Sequence, residues 1–295
     1  MSDTGLRPLP QGMERPGVAR GLTSIFAHRY LLELLVRKEL RVRYQASVLG
    51  LAWSYVKPGA QFAVFFFVMG GFLNMSKTLP PFAIFLFSGI IVINLFTEIL
   101  GNATRSIVWN GPLVRKIFLP RQLFPVSSVF VALVHFLPQV VILIAGALFY
   151  GWRPDATGVA AFFLGTFIVI AFALGLGLIF AAVNVAFRDI ENTVDLILMV
   201  AVWFSPVLYS MSMVWDTFGR GSLLSQLYEA NPLTIAVELF HRAFWWAAAD
   251  PSIREGALIP DLMTRGVIML VVSLALLAIG DRVFTRMSRK FAQEL

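Results

Sequence analysis

Long apolar runs separated by short polar stretches dominate the chain from residue 51 onward. A helix needs about 20 apolar residues to cross a bilayer, because the hydrocarbon core is about 30 Å thick and each residue rises about 1.5 Å. The pattern therefore predicts an all-α integral membrane protein with six transmembrane helices. Their predicted bounds are residues 51–73, 81–100, 123–150, 157–183, 193–211 and 263–284.

An amphipathic pattern precedes the first predicted span. Apolar and charged residues recur at helical spacing from Leu22 to Tyr44, which predicts an interfacial helix on the membrane surface within residues 22–50. Residues 1–21 have prolines and arginines but no apolar core, and are predicted to form a disordered cytoplasmic tail before the spanning domain, residues 51–295. The basic end of the helix can contact anionic lipid or a protein partner, and the sequence leaves both open. Beside Tyr44, this end contains Arg37, Lys38, Arg41 and Arg43.

A further apolar stretch, residues 231–249, lies between the fifth and sixth predicted spans. Glu238, His241 and Arg242 sit near its middle, and charged groups there make a full crossing costly. Glu238 and Arg242 are four residues apart, so they are predicted to pair on one helix. Because an Asn-Pro turn signal begins the stretch, we predict a re-entrant or interfacial helix on the outer side.

Composition and charge exclude a soluble protein. Hydrophobic residues make up 58% of the 295, charged residues 14%, and the mean hydropathy is +0.77. The net charge of +7 fits a membrane protein whose basic residues lie at one membrane surface, because 18 of the 24 Lys and Arg residues fall on one side of the predicted topology. Both termini are therefore predicted to be cytoplasmic, in the inner (plasma) membrane, with no nucleic acid as partner. The chain has no cysteine, which excludes disulfides and thiolate metal sites.

Motifs of catalysis are missing from the sequence. It contains no Gly-Lys pair, so it has no phosphate-binding loop of the form GxxxxGK[ST], and neither GxSxG nor HExxH occurs. His28, His135 and His241 lie in different predicted elements, which disfavours a metal site. Asp189 and Glu191 fit a solvated carboxylate pair better than a catalytic one. We therefore predict a chain that is not itself an enzyme and that binds no cofactor of its own.

Ionisable residues within the predicted spans bear on the energy source. Only Glu98 and Asp195 come close to the middle of the membrane. Glu98 is expected to reach Asn102 or the membrane surface, and Asp195 is expected to lie in the first turn of its helix. Ion-driven transporters place acids and bases near mid-membrane. This pattern favours an external motor or a passive scaffold, with an ion-coupled flippase and a membrane-embedded glycosyltransferase as rival classes.

Aromatic residues are abundant, with 27 Phe, 7 Trp and 6 Tyr. Interfacial belts and lipid contact account for many of them. Others are candidates to line a path for sugars, whose flat apolar faces stack on aromatic rings, and the sequence does not decide between these roles. The candidates for the substrate path are Trp53, Tyr209, Trp245 and Trp246.

Five motifs in order resemble those of permeases of polysaccharide ATP-binding-cassette exporters. RYQASVLGLAW at residues 43–53, followed by a proline, resembles their RYxxSxLGxxW…P signature, and NGPLVRKIFLPR at residues 110–121 resembles their first cytoplasmic coupling segment. FRDI at residues 187–190 is similar to their second-loop motif. SPVLY at residues 205–209 and NPL at residues 231–233 are similar to their fifth-span and outer-loop motifs.

This resemblance implies a homodimer bound to two copies of a separate ATPase subunit, which would bind ATP and Mg. It implies a lipid-linked polysaccharide as cargo, of the O-antigen, teichoic acid or galactan type, and it is greatest to the mycobacterial galactan exporter permeases. A permease for a drug or a small lipid is the alternative within the same architecture. The resemblance also implies that the helix before the first span acts as a gate helix. The residues implied in ATPase coupling are Asn110, Leu113, Arg115, Lys116, Phe118, Pro120, Arg188 and Asp189.

Overall fold

The computed structural model describes residues 21–116, 119–254, 256–289 and 291. This part of the chain is helical and has no β-strand, as predicted. Most of the predicted tail, residues 1–20, lies outside the described residues. In chain order, the α-helices described are α1 (Arg29–Tyr44), α2 (Trp53–Phe65), α3 (Met75–Thr78), α4 (Phe82–Trp109), α5 (Gly111–Lys116), α6 (Leu123–Phe149), α7 (Ala156–Ala186), α8 (Ile190–Ala201), α9 (Met211–Phe218), α10 (Leu223–Glu229), α11 (Pro232–Phe240), α12 (Trp246–Ala248), α13 (Pro251–Arg254) and α14 (Leu262–Ser288).

Four of the described helices, α4, α6, α7 and α14, are each long and apolar enough to cross a membrane. They correspond to the second, third, fourth and sixth predicted spans. Most residues of α4 are buried, which makes it the central helix of the bundle. The start of α6 meets the last turns of α14, where the Gln122 side-chain amide donates to the Thr285 hydroxyl over 3.1 Å. We call this end the basic end, because Arg115, Lys116 and Arg188 also lie there.

Helix α1 and the 3₁₀ segment before it, Leu22–His28, occupy the stretch predicted to be an interfacial helix, and α1 packs at the basic end. The Leu22 backbone N–H donates to Asp281 Oδ2 of α14 over 3.2 Å. The Ser127 hydroxyl of α6 donates to Glu39 Oε1 over 3.0 Å. Burial raises the pKa of Glu39, although the hydrogen bond from Ser127 opposes the increase. These contacts join α1 to both α6 and α14.

The first predicted span, residues 51–73, is helical over most of its length. Helix α2 continues directly into a π-helical segment, Phe66–Phe72, and together they comprise 20 residues. No residue of α2 is buried. This helix therefore lies at the edge of the bundle, where it is free to contact lipid or another chain.

The fifth predicted span, residues 193–211, is wrong as an unbroken helix. Helix α8 ends at Ala201, and turns follow through the next residues. Pro206 has no N–H to donate, and its ring clashes with the preceding helical turn, so a straight helix is disfavoured there. The turns after α8 instead pack closely on α4. A Cβ atom added to Gly89 of α4 would lie only 3.2 Å from the Val207 Cα.

The apolar stretch between the fifth and sixth predicted spans forms α11, one π-helical turn and α12. Asn231 begins it as predicted, since its Oδ1 accepts from the Leu233 N–H over 3.0 Å. Helix α11 runs antiparallel to α7: a Cβ on Gly165 would lie 3.2 Å from the carbonyl oxygen of Ala236, and one on Gly158 would lie 3.5 Å from the Cα of Ala243. Helix α11 therefore starts near the middle of α7, and the π-helical turn that follows it lies near the first turn of α7.

The predicted pair of Glu238 and Arg242 is wrong. Arg242 Nη2 donates to Oδ2 of Asp155, the N-cap of α7, over 2.6 Å. Glu238 is fully buried, accepts from the Ile259 N–H over 3.2 Å, and lies 3.2 Å from His241 Nδ1. A π-helical turn starts at His241 and rotates Arg242 away from its expected register.

We expect Gly280→Val to lower the free energy of unfolding by about 1–3 kcal/mol, the usual cost of overpacking a tight contact. Helices α7 and α14 approach so closely that a Cβ on Gly280 would lie 2.4 Å from the Gly175 carbonyl oxygen. Thermal unfolding of the purified protein in detergent measures this loss. Gly71→Val is the control, because a Cβ on Gly71 meets no described atom within 4 Å. An equal loss in both variants would contradict the packing explanation.

Candidate functional site

The predicted coupling residues next to α4 fall into two groups. Arg115 and Lys116 are exposed in α5, which follows α4 directly. Asn110 is buried, and its side-chain N–H donates to the Ser106 carbonyl over 2.8 Å. Its side-chain oxygen accepts a hydrogen bond from Lys38 Nζ of α1. Asn110 therefore joins α4 to α1, whereas Arg115 and Lys116 face outward and are available to a partner.

The remaining predicted coupling residues are spread over two connections. Leu113 and Pro120 are half-buried on either side of the gap in the described residues, and Phe118 lies outside the described part. Arg188 and Asp189 are exposed in the turn between α7 and α8. This turn and α5 both lie at the basic end, so the structure brings their exposed polar groups to one side of the molecule.

Helix α8 is attached to α4 by Arg105. Its Nη2 donates to both carboxylate oxygens of Asp195, over 2.6 and 2.7 Å, and its Nε donates to Glu191 Oε2 over 3.4 Å. The Asn184 side-chain N–H of α7 donates to Glu191 Oε1 over 2.9 Å. Asp195, which was expected to be stabilised by the first turn of its own helix, thus has a cationic partner on α4. Glu191 has hydrogen-bond partners on α4 and α7, so it is not simply a solvated carboxylate.

A polar cluster of Arg43, Tyr44, Ser54, Glu98 and His135 joins α1 and α2 to α4 and α6. Arg43 Nη1 donates to Glu98 Oε1, and His135 Nδ1 lies 2.6 Å from the same oxygen. The Tyr44 hydroxyl lies 2.7 Å from His135 Nε2 and also contacts the Ser54 hydroxyl.

One proton arrangement satisfies every contact of the polar cluster except the 3.2 Å approach of Arg43 Nη1 to His135 Nδ1. His135 donates from Nδ1 to Glu98 and accepts at Nε2 from the Tyr44 hydroxyl, while Tyr44 accepts from Ser54. Glu98 remains ionised beside Arg43, so the ion pair is neutral overall. The cluster is therefore a stable connection, and it needs no bound metal to compensate its charges.

A cavity of about 820 Å³ opens beside the polar cluster at the basic end. It is bounded by the end of α1, the start of α2, and the facing turns of α4, α6 and α8. Amide, hydroxyl and charged groups line much of it, which suits a hydrated or sugar-bearing ligand better than a purely apolar one. The polar residues lining it, besides those of the cluster, are Ser47, Lys57, Asn94, Thr97, Asn102, Arg105, Gln139 and Asp195.

The other predicted gate-helix residues lie outside this cavity. Arg37 pairs with Glu33 over 2.5 Å on the exposed face of α1, and Arg41 is exposed. Arg43 and Tyr44, one helical turn further on, both line the cavity. Only the last turn of α1 therefore contributes to the site.

Of the predicted path aromatics, Trp53 alone lines the polar cavity, and its side chain is exposed. The Tyr209 hydroxyl donates to the Trp203 carbonyl over 2.5 Å and lies 3.0 Å from the Tyr228 hydroxyl. These contacts hold Tyr209 in the turns after α8. The structure does not bring Trp53 and Tyr209 together within one chain.

The two adjacent tryptophans after α11 have different surroundings. Trp245 is fully buried and meets Phe85 of α4 edge-on, with ring centroids 5.4 Å apart. Trp246 is half-buried, 5.8 Å from the Arg242 guanidinium, and lines a second cavity of about 400 Å³ at the end opposite the basic end. In this conformation Trp245 packs the core and cannot stack on a ligand, whereas Trp246 can.

Sequence reasoning missed the partnership of Glu98 and His135. The sequence directs Glu98 to Asn102 or the membrane surface and gives His135 no site. The available signal was that each is a polar residue within an apolar span, which by itself indicates a functional position. They are 37 positions apart in the sequence, which gives no indication that α4 and α6 bring them into contact.

Comparison with known proteins identifies relatives over most of the chain. The sequence profile of the ABC-2 type transporter family matches residues 30–245. An O-antigen export system permease protein RfbA of Klebsiella pneumoniae is 29% identical over 272 residues, covering 90% of this chain and 96% of the relative. RfbA of Myxococcus xanthus is 28% identical over 77% of this chain and 84% of its own length. The polysialic acid transport protein KpsM of Escherichia coli is 24% identical over 83% of this chain and 91% of its own length.

We expect Glu98→Ala to lower the free energy of unfolding by about 2–4 kcal/mol, because it leaves Arg43 and His135 without their shared acceptor. Glu33→Ala is the matched control: its ion pair with Arg37 is exposed on α1 and should contribute at most about 0.5 kcal/mol. Thermal unfolding of both variants in the same detergent measures the difference. Similar losses in the two variants would show that the polar cluster does not hold α1 in place.

Proposed function

Because this chain belongs to the ABC-2 type transporter membrane family, we propose that it is the permease subunit of an ATP-driven exporter that moves a lipid-linked polysaccharide out of the cytoplasm. The resemblance to polysaccharide exporter permeases is confirmed by relatives that include O-antigen export permeases and a polysialic acid transport protein. The observation that carries the proposal to this chain is the polar cavity of about 820 Å³ at the basic end, next to α1. The cargo is of the O-antigen, teichoic acid or galactan type.

The permease acts as a homodimer in this proposal. Helices α2 and α8 border the polar cavity and expose large apolar side chains, including Phe67 on the extension of α2 and Leu196 and Met199 on α8. Exposed apolar surface beside a polar opening is what a second copy would cover. Pairing through these faces would place two cavities beside a shared conduit, with Trp53 near its basic end.

The proposed topology has six crossings with both termini in the cytoplasm. Helix α2 with its π-helical extension, and α8 with the turns after it, supply the first and fifth crossings beside the four long helices. Helix α11 begins at the depth of the middle of α7, and the π-helical turn after it lies near the first turn of α7, which supports a re-entrant segment on the outer side. The excess of Lys and Arg at the basic end supports a cytoplasmic position for that end.

Energy is proposed to come from a separate ATPase subunit, present in two copies, which binds ATP and Mg. The sequence has no phosphate-binding loop of its own. The exposed residues Arg115 and Lys116 in α5, with Arg188 and Asp189 in the next turn, form the proposed docking surface. Lys38 of α1 contacts Asn110 at the start of α5, so a displacement of α5 would act directly on the gate helix.

An ion-coupled flippase is the second candidate, and one observation favours it. Glu98 and His135 are in contact within the bundle, and such pairs carry protons in ion-driven transporters. Export that stops with an ionophore while ATP is intact would support this candidate. A drug or small-lipid permease of the same family would instead export its substrate without glycan.

Charge reversal in α5 tests the proposed energy coupling. In cells that contain this chain and its partner ATPase, we expect Arg115→Glu with Lys116→Glu to lower surface glycan by on the order of tenfold, because like charges would oppose docking. The amount of permease in the membrane should not change. Lys77→Glu, at the opposite end in α3, is the control. Unchanged glycan export and unchanged recovery of the complex in the α5 variant would refute this docking surface.

Labelling of single cysteines tests the topology, since the native chain has none. Val48 is fully exposed in the connection between α1 and α2, and Thr217 is exposed in α9. We expect an impermeant thiol reagent to label Val48→Cys only from the cytoplasmic side and Thr217→Cys only from outside. Labelling of Val48→Cys from outside would overturn the orientation.

A further inference from the structure

A third cavity, an apolar groove, lies between α2, α4 and α6. Its volume is about 280 Å³, and Phe62, Phe87 and Leu143 are among the side chains that line it. Gly59 of α2 and Gly146 of α6 also line it, and because glycine has no side chain, the groove is not filled at these positions. Along α6 the groove extends from Gln139 to Tyr150, about 16 Å at a rise of ~1.5 Å per residue.

The apolar groove continues into the polar cavity. Pro58 and Gln139 line both. Gln139 marks the transition, because its Nε2 donates to the His135 carbonyl over 3.0 Å and its Oε1 accepts from Asn94 over 3.3 Å. The two spaces therefore form one elongated site, apolar at one end and polar at the other.

Lys57 is the cation in this site without an acidic partner. Arg43 pairs with Glu98, and Arg105 pairs with Asp195. Among the described residues, no carboxylate lies within 4.0 Å of the Lys57 ammonium group. Lys57 precedes Pro58, which lines both the apolar groove and the polar cavity. Its positive charge therefore lies at the position where the hydrocarbon of an amphipathic ligand would end and its headgroup would begin.

We propose that this elongated site binds the lipid carrier of the cargo, with its long hydrocarbon chain in the apolar groove, its phosphate or diphosphate at Lys57, and its first sugars in the polar cavity. The inference rests on the proposed function and adds where the carrier binds. An ordinary phospholipid would fit the groove and Lys57, but its small headgroup would leave much of the polar cavity of about 820 Å³ unfilled. The first sugars of a glycan would fill that space, and their hydroxyls match its amide and hydroxyl lining.

A photoreactive probe tests this site directly. The purified chain is placed in nanodiscs of phosphatidylethanolamine and phosphatidylglycerol with a synthetic polyprenyl diphosphate that carries a diazirine on its hydrocarbon chain. We expect cross-links to peptides of α2 and α6. Gly59→Leu should lower the yield about tenfold by filling the groove, and Lys57→Gln should do the same by removing one charged hydrogen bond.

Matched variants separate blockage from damage. A Cβ on Gly59 or on Gly71 meets no described atom within 4 Å, but only Gly59 lines the groove. Gly71→Leu should therefore keep the full cross-link yield, as should Lys77→Gln. Equal yields in the wild type, Gly59→Leu and Lys57→Gln would overturn the inference. Equal labelling by phosphatidylglycerol carrying the same diazirine, with the same loss in Gly59→Leu, would also overturn it and identify a site for ordinary membrane lipid.

Glycan export distinguishes a failure of this site from a failure of the proposed function. If the wild type with its ATPase exports glycan and Gly59→Leu exports it equally well, the carrier site is wrong and the function stands. If the wild type exports no glycan, the proposed function fails. Loss of both cross-linking and export in Gly59→Leu, with both retained in Gly71→Leu, is the expected result.

Discussion

The ion pair between Arg43 and Glu98 fixes the end of α1 against the central helix of the bundle. A carboxylate surrounded mainly by apolar helices is costly unless cationic or hydrogen-bonding partners reach it. Glu98 obtains those partners from α1 and α6, through Arg43 and His135. The position of α1 then determines where α2 begins, and the space left between these helices is the polar cavity.

The same constraint explains how the peripheral helices are attached. Arg105 joins α8 to α4 through Asp195 and Glu191, and Arg242 joins the segment after α11 to the start of α7 through Asp155. Close backbone contacts at glycines, as between α7 and α14, supply the packing that apolar side chains cannot provide by themselves in lipid. Within the polar cavity Arg43 and Arg105 are paired, and Lys57 is the cation without a carboxylate partner among the described residues, which fits a ligand site.

The contacts of α1 also relate the two functional regions. Lys38 near its middle contacts Asn110, directly before α5, while Arg43 and Tyr44 at its end line the polar cavity. A single rigid helix thus connects the exposed basic surface to the cavity. This arrangement suits a transporter in which a separate motor acts at one end. It explains the positions of Lys38 and Arg43, whereas Arg37 and Arg41 face outward and line neither region.

The sequence by itself determined the helical class, the four long apolar helices and the N-cap of α11 at Asn231, because run length, Lys and Arg placement and turn signals are local properties. Tertiary structure decided which charges meet. Glu98 and Arg43 are 55 residues apart, and their contact depends on how α1 and α4 pack. The predicted pair of Glu238 and Arg242 failed because spacing within one helix ignores competing partners, and Asp155 of another element lay within reach of Arg242. The long apolar run likewise concealed the break at Pro206, where contact with α4 replaced the helix.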